Sequence, residues 1–546
     1  MVIDRRTTLA RRCSDIVGAE HVLADEGSRD RWARTTGPAG TRPLLVVRPA
    51  DTQAVSRVVM AASAAGIAVH TVSRGRNWGY GDACAAYDGM LLLDLSRLDR
   101  IHDVDRELGT ATIGPGVSQG RLATFLAANA SSWMADCTGA GPEASVIGNL
   151  ADRGFGHSAN GDRFAHSCAY QVVLADGSVH DTGFAGLPRA KAAAVYKWGV
   201  GPSLDGLFTQ SNLGIITRAT VWLMPRPVRQ TMLLFSSTEA DQGGALVEGL
   251  RQLRLEGVLT STVHLFNRMR LLGASAAFPY DCSDGTRPLE LSHPELVERM
   301  CRHHQLPAWI ASASLGGPAA LVRPAIAQAR ARLRQAGFRG RILALDPLRM
   351  GLLETAGRWW PDRLGGASFR ARLGNLRIMW RLLAGEPDPA SVKGGGWRGR
   401  RDAAGSGDPR DGGAGMIWVS PILPATARCL AEVDAIARTV LHRHGFEHQA
   451  TYSLVNPRAL CAVTSICFDR DDPAQRARAT ACHDELVDLL ATAGYCPYRG
   501  APMTQRRLWD HPVAPWDLMR RLSAALDPEG LLSPGRYIPD HAPSRI

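Results

Sequence analysis

The chain has 546 residues, 45% of them hydrophobic and 21% charged. That composition excludes disorder, collagen and coiled coil for the bulk of the chain, and the length allows a large core in two or more domains. The net charge of +11 raises nucleic acid as a partner class, but the arginines are scattered among acidic residues. The one dense cluster, Arg398, Arg400 and Arg401, lacks the interleaved aromatics of a single-strand binder.

The N-terminus is basic without a following apolar run, and no apolar stretch approaches the ~18 residues of a membrane span. No nucleic-acid or membrane partner is therefore expected, and the expected location is cytoplasmic. Eleven cysteines, an odd number without a C-x-x-C pair, read as reduced thiols. No metal is expected, because no Cys/His cluster has ligand spacing. Residues 44–48 (LLVVR) read as a strand. Asp51 or Thr52 caps a helix to about Ala65, which Gly66 ends. A strand from Ala68 to Val72 enters the glycine turn SRGRNWGYGD (73–82), and an apolar run, 90–95, follows. A helix is expected over 119–128 and a hairpin over 171–183, turning at Asp176-Gly177. Later come helices over 246–255, 324–336, 425–443 and 473–493, with strands near 416–422, 449–455 and 461–468. Segment 386–414 is rich in Gly, Arg and Asp and reads as a mobile loop.

The first turn, Gly75-Arg76-Asn77-Trp78-Gly79-Tyr80-Gly81, is not a Rossmann G-x-G-x-x-G, since no helix follows it. Three more glycine-rich segments occur within the next 150 or so residues: Gly114-Pro115-Gly116, the run 139–161, and Gly201 to Gly214. Backbone N–H groups in such turns meet phosphate without side-chain bulk. Four of them suggest an extended cofactor, a dinucleotide rather than a mononucleotide.

The segments SRGRNWGYG (73–81), GPGV (114–117), ASVIGN (144–149), RGFGHSANGD (153–162), GLFTQSNLGIITRATVWLMPRP (206–227), MIWVSPI (416–422), GYCPYRG (494–500) and LDPEGLLSPGRY (526–537) stand in one order along the chain. In these the sequence resembles the vanillyl-alcohol oxidase/p-cresol methylhydroxylase flavoproteins. The resemblance implies an α+β, two-domain FAD-binding fold. Residues 1–232 with 490–546 would form the FAD domain. Residues 233–489 would form a cap, an antiparallel sheet covered by helices. It further implies FAD as cofactor and a small aromatic substrate. A hydride would leave the carbon para to a phenolic oxygen for flavin N5, and the quinone methide would then be hydrated, desaturated or cyclised. Dioxygen or a redox protein would accept the electrons, and a homodimer is left open.

The implied cofactor residues are Ser73, Arg74, Gly75, Arg76, Asn77, Gly79 and Gly81 in the first turn and Pro115 and Gly116 in the second. Gly139, Ser145, Gly148, Asn149 and Gly154 belong to the third, Gly214 and Ile215 to the fourth, and Arg536 lies near the C-terminus. By the same resemblance Tyr80, Tyr498 and Arg499 grip a phenolate, a role that two phenol donors and a guanidinium suit. The resemblance places an aspartate beside flavin N5, but this chain has Ala140 there, with Asp136 and Glu143 as the nearest carboxylates. His157 is either a general base or a buried neutral histidine. Cys461 stands where relatives often carry histidine. Met416 occupies one covalent flavin anchor and Arg76 the other, so noncovalent FAD is expected. Two other functions stay open: oxidation of a nonphenolic alcohol or amine, and a non-enzymatic flavin-binding scaffold.

Overall fold

The computed structural model describes residues 5–362, 365–400 and 408–540. Strands β1 (Val22–Leu23), β2 (Leu45–Val47), β3 (Val69–Val72) and β4 (Leu91–Asp94) form a sheet in the order β1-β2-β4-β3. β2 and β3 both run parallel to β4, so a crossover must follow β2. Helix α1 (Thr52–Ala65) supplies it. The Asp51 side chain caps α1 by accepting the Ala54 N–H at 2.8 Å, and Gly66 ends it at a φ of 66°, a left-handed conformation that favours glycine. Val55, Val58 and Val59 of α1 pack on Leu45, Leu91 and Leu93.

A second sheet is antiparallel. Its strands are β5 (Ile101–Asp105), β6 (Thr110–Ile113), β7 (Ser167–Val173), β8 (Val179–Asp181) and β9 (Ile215–Trp222), in the order β5-β6-β9-β7-β8. The expected hairpin is β7–β8. The chain's end returns to both sheets. Leu531 and Leu532 join the core of the first, and Met519, Leu522 and Ile538 join that of the second.

The third sheet is antiparallel with eight strands. Seven are β10 (Gln230–Ser237), β11 (Val263–Asn267), β12 (Trp309–Gly316), β13 (Arg341–Leu345), β14 (Ala414–Val419), β15 (Gln449–Asn456) and β16 (Ala459–Asp469), in the order β13-β10-β12-β11-β15-β16-β14, and Ile422–Pro424 also pairs with β16. Alternation along each strand gives the sheet two faces. Val263, Leu265, Tyr452 and Leu454 pack against helices 243–255, 427–443 and 473–492. His264, Phe266, Thr451 and Ser453 face a cavity. Among the described residues no helix is long and apolar enough to cross a membrane.

β10 begins at Gln230, and the helix Pro473–Thr492 runs past position 490. Two sequence expectations need correction. The helix expected from Pro324 starts at Ala319 and carries Pro324 inside it. The described residues of segment 386–414 are not free of the core, and 401–407 lie outside the described residues. Trp397 and Arg398 are fully buried, and Arg398 forms a bidentate pair with Glu447 (Nη2–Oε1 2.9 Å, Nε–Oε2 3.1 Å). The Gly285 and Gly445 carbonyls and Gln475 Oε1 accept from its remaining N–H groups, and Phe278 and Phe446 flank its guanidinium. Arg398 is thus a core residue rather than part of a solvated basic cluster. Arg401 lies outside the described residues.

Candidate active site

A cavity of about 1360 Å³ opens between the first two sheets and the third, lined from both sides. Of the expected cofactor residues, Ser73, Arg74, Gly75, Arg76, Asn77, Gly139, Ser145, Gly148, Asn149, Gly214, Ile215 and Arg536 lie on its wall. Gly79, Gly81, Pro115, Gly116 and Gly154 do not, and packing explains them. A Cβ on Gly79 would meet the Trp418 ring at 2.9 Å, one on Gly116 the Ser96 carbonyl at 2.3 Å, and one on Gly154 the Arg499 Nη1 at 2.6 Å. The Pro115 carbonyl accepts the Ser145 hydroxyl at 2.6 Å, which holds two of the turns together.

Tyr80, Tyr498 and Arg499 come together from opposite ends of the chain. The Arg499 guanidinium carbon lies 4.0 Å from the Tyr80 ring centroid and 5.6 Å from that of Tyr498. Ser420 sits 2.6 Å from the Tyr80 hydroxyl. Burial raises both tyrosine pKa values against the pull of Arg499, which keeps the phenols protonated and able to donate. Burial opposes the charge of Arg499, yet Tyr498, Tyr80 and Asp152 raise its pKa above the ordinary value. Arg499 Nε and Nη1 are buried without a hydrogen-bond acceptor. Two protonated phenols and an under-satisfied guanidinium make a receptor for an oxyanion.

Sequence reasoning missed Asp152, which ties three motifs together. It accepts from Asn77 Nδ2 at 3.0 Å and from the Tyr537 hydroxyl at 2.6 Å, and lies 3.4 Å from Arg499 Nη1. Nothing in its spacing sets it apart. His264 was also missed, although its place on an alternating strand was legible. Its ring lies 4.3 Å from that of His157, and Ser453 Oγ is 2.8 Å from its Nδ1.

His157 lines the cavity but is no cation. Burial, then Arg163, lowers its pKa from 6.5 to about 4, and burial lowers His264 as well. The unfolded chain takes up these protons near pH 6.5 while the folded protein resists until about 4. Stability is therefore expected to fall as pH drops through that window. His157→Gln should flatten the slope of unfolding temperature against pH there. An unchanged slope would show that His157 is solvated.

Both candidate carboxylates already have partners. Asp136 is buried against Arg163 (3.0 Å) and accepts from the Ser158 N–H and hydroxyl, and Glu143 pairs with Arg74. Ala140 itself lies on the cavity wall. Cys461 is fully buried, and burial raises its pKa and keeps it a thiol despite Arg499.

An FAD binding domain model matches residues 43–183. The chain is 33% identical to the 1'-carboxy-chondrochloren decarboxylase of Chondromyces crocatus, over 96% of this chain and 95% of that one. The protein belongs to the vanillyl-alcohol oxidase/p-cresol methylhydroxylase family. It is also 29% identical to the 4-cresol dehydrogenase [hydroxylating] flavoprotein subunit of Pseudomonas putida, over 95% of this chain and 93% of that one. The crystal structure of p-cresol methylhydroxylase with substrate bound superposes with a TM-score of 0.85 at 27% identity, covering 98% and 97% of the two chains. As a member of this family the protein is an FAD-dependent oxidoreductase. The cavity fits that cofactor. Asn149 Oδ1 and Asn212 Oδ1, both on its wall, are buried without a protein donor, and space stands open beside Gly139.

Proposed function

We propose that the protein oxidises a para-substituted phenol at the side-chain carbon para to the oxygen. The convergence of Tyr80, Tyr498 and Arg499 on one buried point carries this reading. Binding there favours the phenolate, whose electron release toward the para carbon weakens the C–H bond to be broken. FAD, when bound, supplies the two-electron acceptor for the hydride. The residues that would hold it are Ser73–Asn77, Gly139, Ser145, Gly148, Asn149, Gly214, Ile215 and Arg536, with Asn212 added from the structure. Residues 1–232 with 490–546 serve as the cofactor domain and 233–489 as the cap. Asp152 holds Arg499 in place, and the large sheet closes over the site and excludes water. Anaerobic mixing of the holoprotein with 4-alkylphenols tests the reading, since the flavin's visible absorbance should bleach. A panel that leaves it unchanged, while a nonphenolic benzylic alcohol or amine bleaches it, would transfer the function to that class.

Ala140 bears on the fate of the oxidised substrate. With no carboxylate there to activate water, hydration is disfavoured, and an internal reaction of the side chain takes its place. Resemblance to a decarboxylase supports loss of carbon dioxide as one such reaction, beside desaturation and ring closure. Electrons then pass to dioxygen or a redox protein, which aerobic reoxidation of the reduced holoprotein would separate.

FAD is held without a covalent bond on this reading, because Met416 and Arg76 occupy the anchor positions. Acid precipitation is expected to leave the yellow colour in the supernatant, and colour in the pellet would contradict it.

A further inference from the structure

Helix α2 (Arg268–Ser275) follows β11 directly and is capped by the Asn267 side chain. Met269 and Leu272 bury its inner side, while Arg268 and Arg270 reach the cavity. The two arginines differ. Arg268 pairs with Glu298. Arg270 donates to the Gly394 carbonyl and, among the described residues, pairs with no carboxylate. Among the described residues, the ionisable group facing it is the Cys467 thiol, which burial pushes up to about 11 and so leaves neutral at ordinary pH. A partly buried guanidinium without a counter-ion on a cavity wall favours an anion.

Its place in the cavity narrows the choice. Gly394 belongs to the turn Pro389–Gly395, whose Ser391 hydroxyl donates to the Gly139 carbonyl at 3.0 Å. Val392 lies 3.7 Å from where a Cβ on Gly141 would stand. This turn therefore couples Arg270 to the strip Gly139-Ala140-Gly141, where the resemblance calls for an aspartate and the chain has none. At the other end, Cys461 neighbours Arg499. Cys461 and Cys467 lie six residues apart on one face of β16, or about 20 Å. The cavity thus carries a partly buried cation toward each end, with the lost protein carboxylate next to one of them.

We infer that Arg270 binds a carboxylate on the substrate's own side chain, so that the substrate is an elongated aromatic acid with its phenol at Arg499 and its carboxylate at Arg270. This rests on the phenol reading above and deepens it. The substrate then supplies the negative charge that Ala140 does not.

Spectral titration of the holoprotein's flavin tests it, with ω-(4-hydroxyphenyl)alkanoates of three to six carbons, their carboxamides, and the matching 4-alkylphenols. Acid is expected to bind about 10- to 100-fold more tightly than amide at the chain length that reaches Arg270. Arg270→Gln should erase that preference and Arg270→Lys should keep part of it. The wild-type ratio needs no variant to fold. Equal affinity of acid and amide at every length, with the 4-alkylphenols still binding, overturns the carboxylate site and leaves the phenol reading standing. No response to any phenol, acid or amide overturns both. An acid preference that survives Arg270→Gln places the carboxylate elsewhere and also overturns the inference.

Discussion

Replacing Arg499 by Met is expected to lower kcat/KM for a para-alkylphenol by about a thousandfold, at the upper end of what loss of one oxyanion donor costs. Arg499 is the only charged group of the three, and charge-assisted hydrogen bonds are roughly twice as strong as neutral ones. Its burial beside Tyr80 and Tyr498 removes the water that would otherwise screen it. Tyr498→Phe removes a neutral donor and should cost less, about a hundredfold. The pH profile separates a catalytic effect from a structural one. With Arg499 in place the phenolate is expected to form at the site near neutral pH. Without it, activity should rise toward the phenol's own pKa of about 10. Arg499→Met that keeps its FAD and loses less than tenfold would remove Arg499 from the anion site.

Glu447→Ala is expected to destabilise the protein by about 3–5 kcal/mol, the cost of leaving a buried charge unpaired. The side chains of Arg398 and Glu447 are 0% and 1% exposed. Glu447 also accepts from Trp397 Nε1 at 3.0 Å and from the Leu289 N–H at 3.1 Å, so its loss orphans two further donors. Replacing both partners, Arg398→Met with Glu447→Met, removes the charge and should recover much of the loss. Denaturant midpoints of the two variants check this. A double variant no better than the single one would show that the pair's hydrogen bonds, not its charge balance, hold segment 389–400 down.

The first sheet was legible because its signals are local. Asp51 and Gly66 mark the ends of α1, and short apolar runs mark β2 to β4. The glycine turns were legible as a class, but not which glycine faces a ligand. Gly79 and Gly154 are required by Trp418 and Arg499, residues hundreds of positions away. The same distance hid Arg398. It stands in a stretch of glycine and arginine with one tryptophan, Trp397, and its partner Glu447 is visible only once β15 is folded beside it. Pro324 misled because proline is common at helix starts, whereas here the helix had begun five residues earlier. Tyr80, Tyr498 and Arg499, the trio proposed to bind a phenol, were singled out through the family motif, while their contacts with Asp152 and Ser420 emerge only from the three-dimensional structure.

Tyr80, Tyr498 and Arg499 are proposed to bind a phenol as its anion. Ultraviolet difference spectroscopy of the holoprotein with a 4-alkylphenol, near neutral pH and without oxygen, tests it most directly. The bound ligand should show the phenolate spectrum far below its solution pKa, and Arg499→Met should abolish that signal. A bound ligand with the spectrum of the neutral phenol would contradict the account.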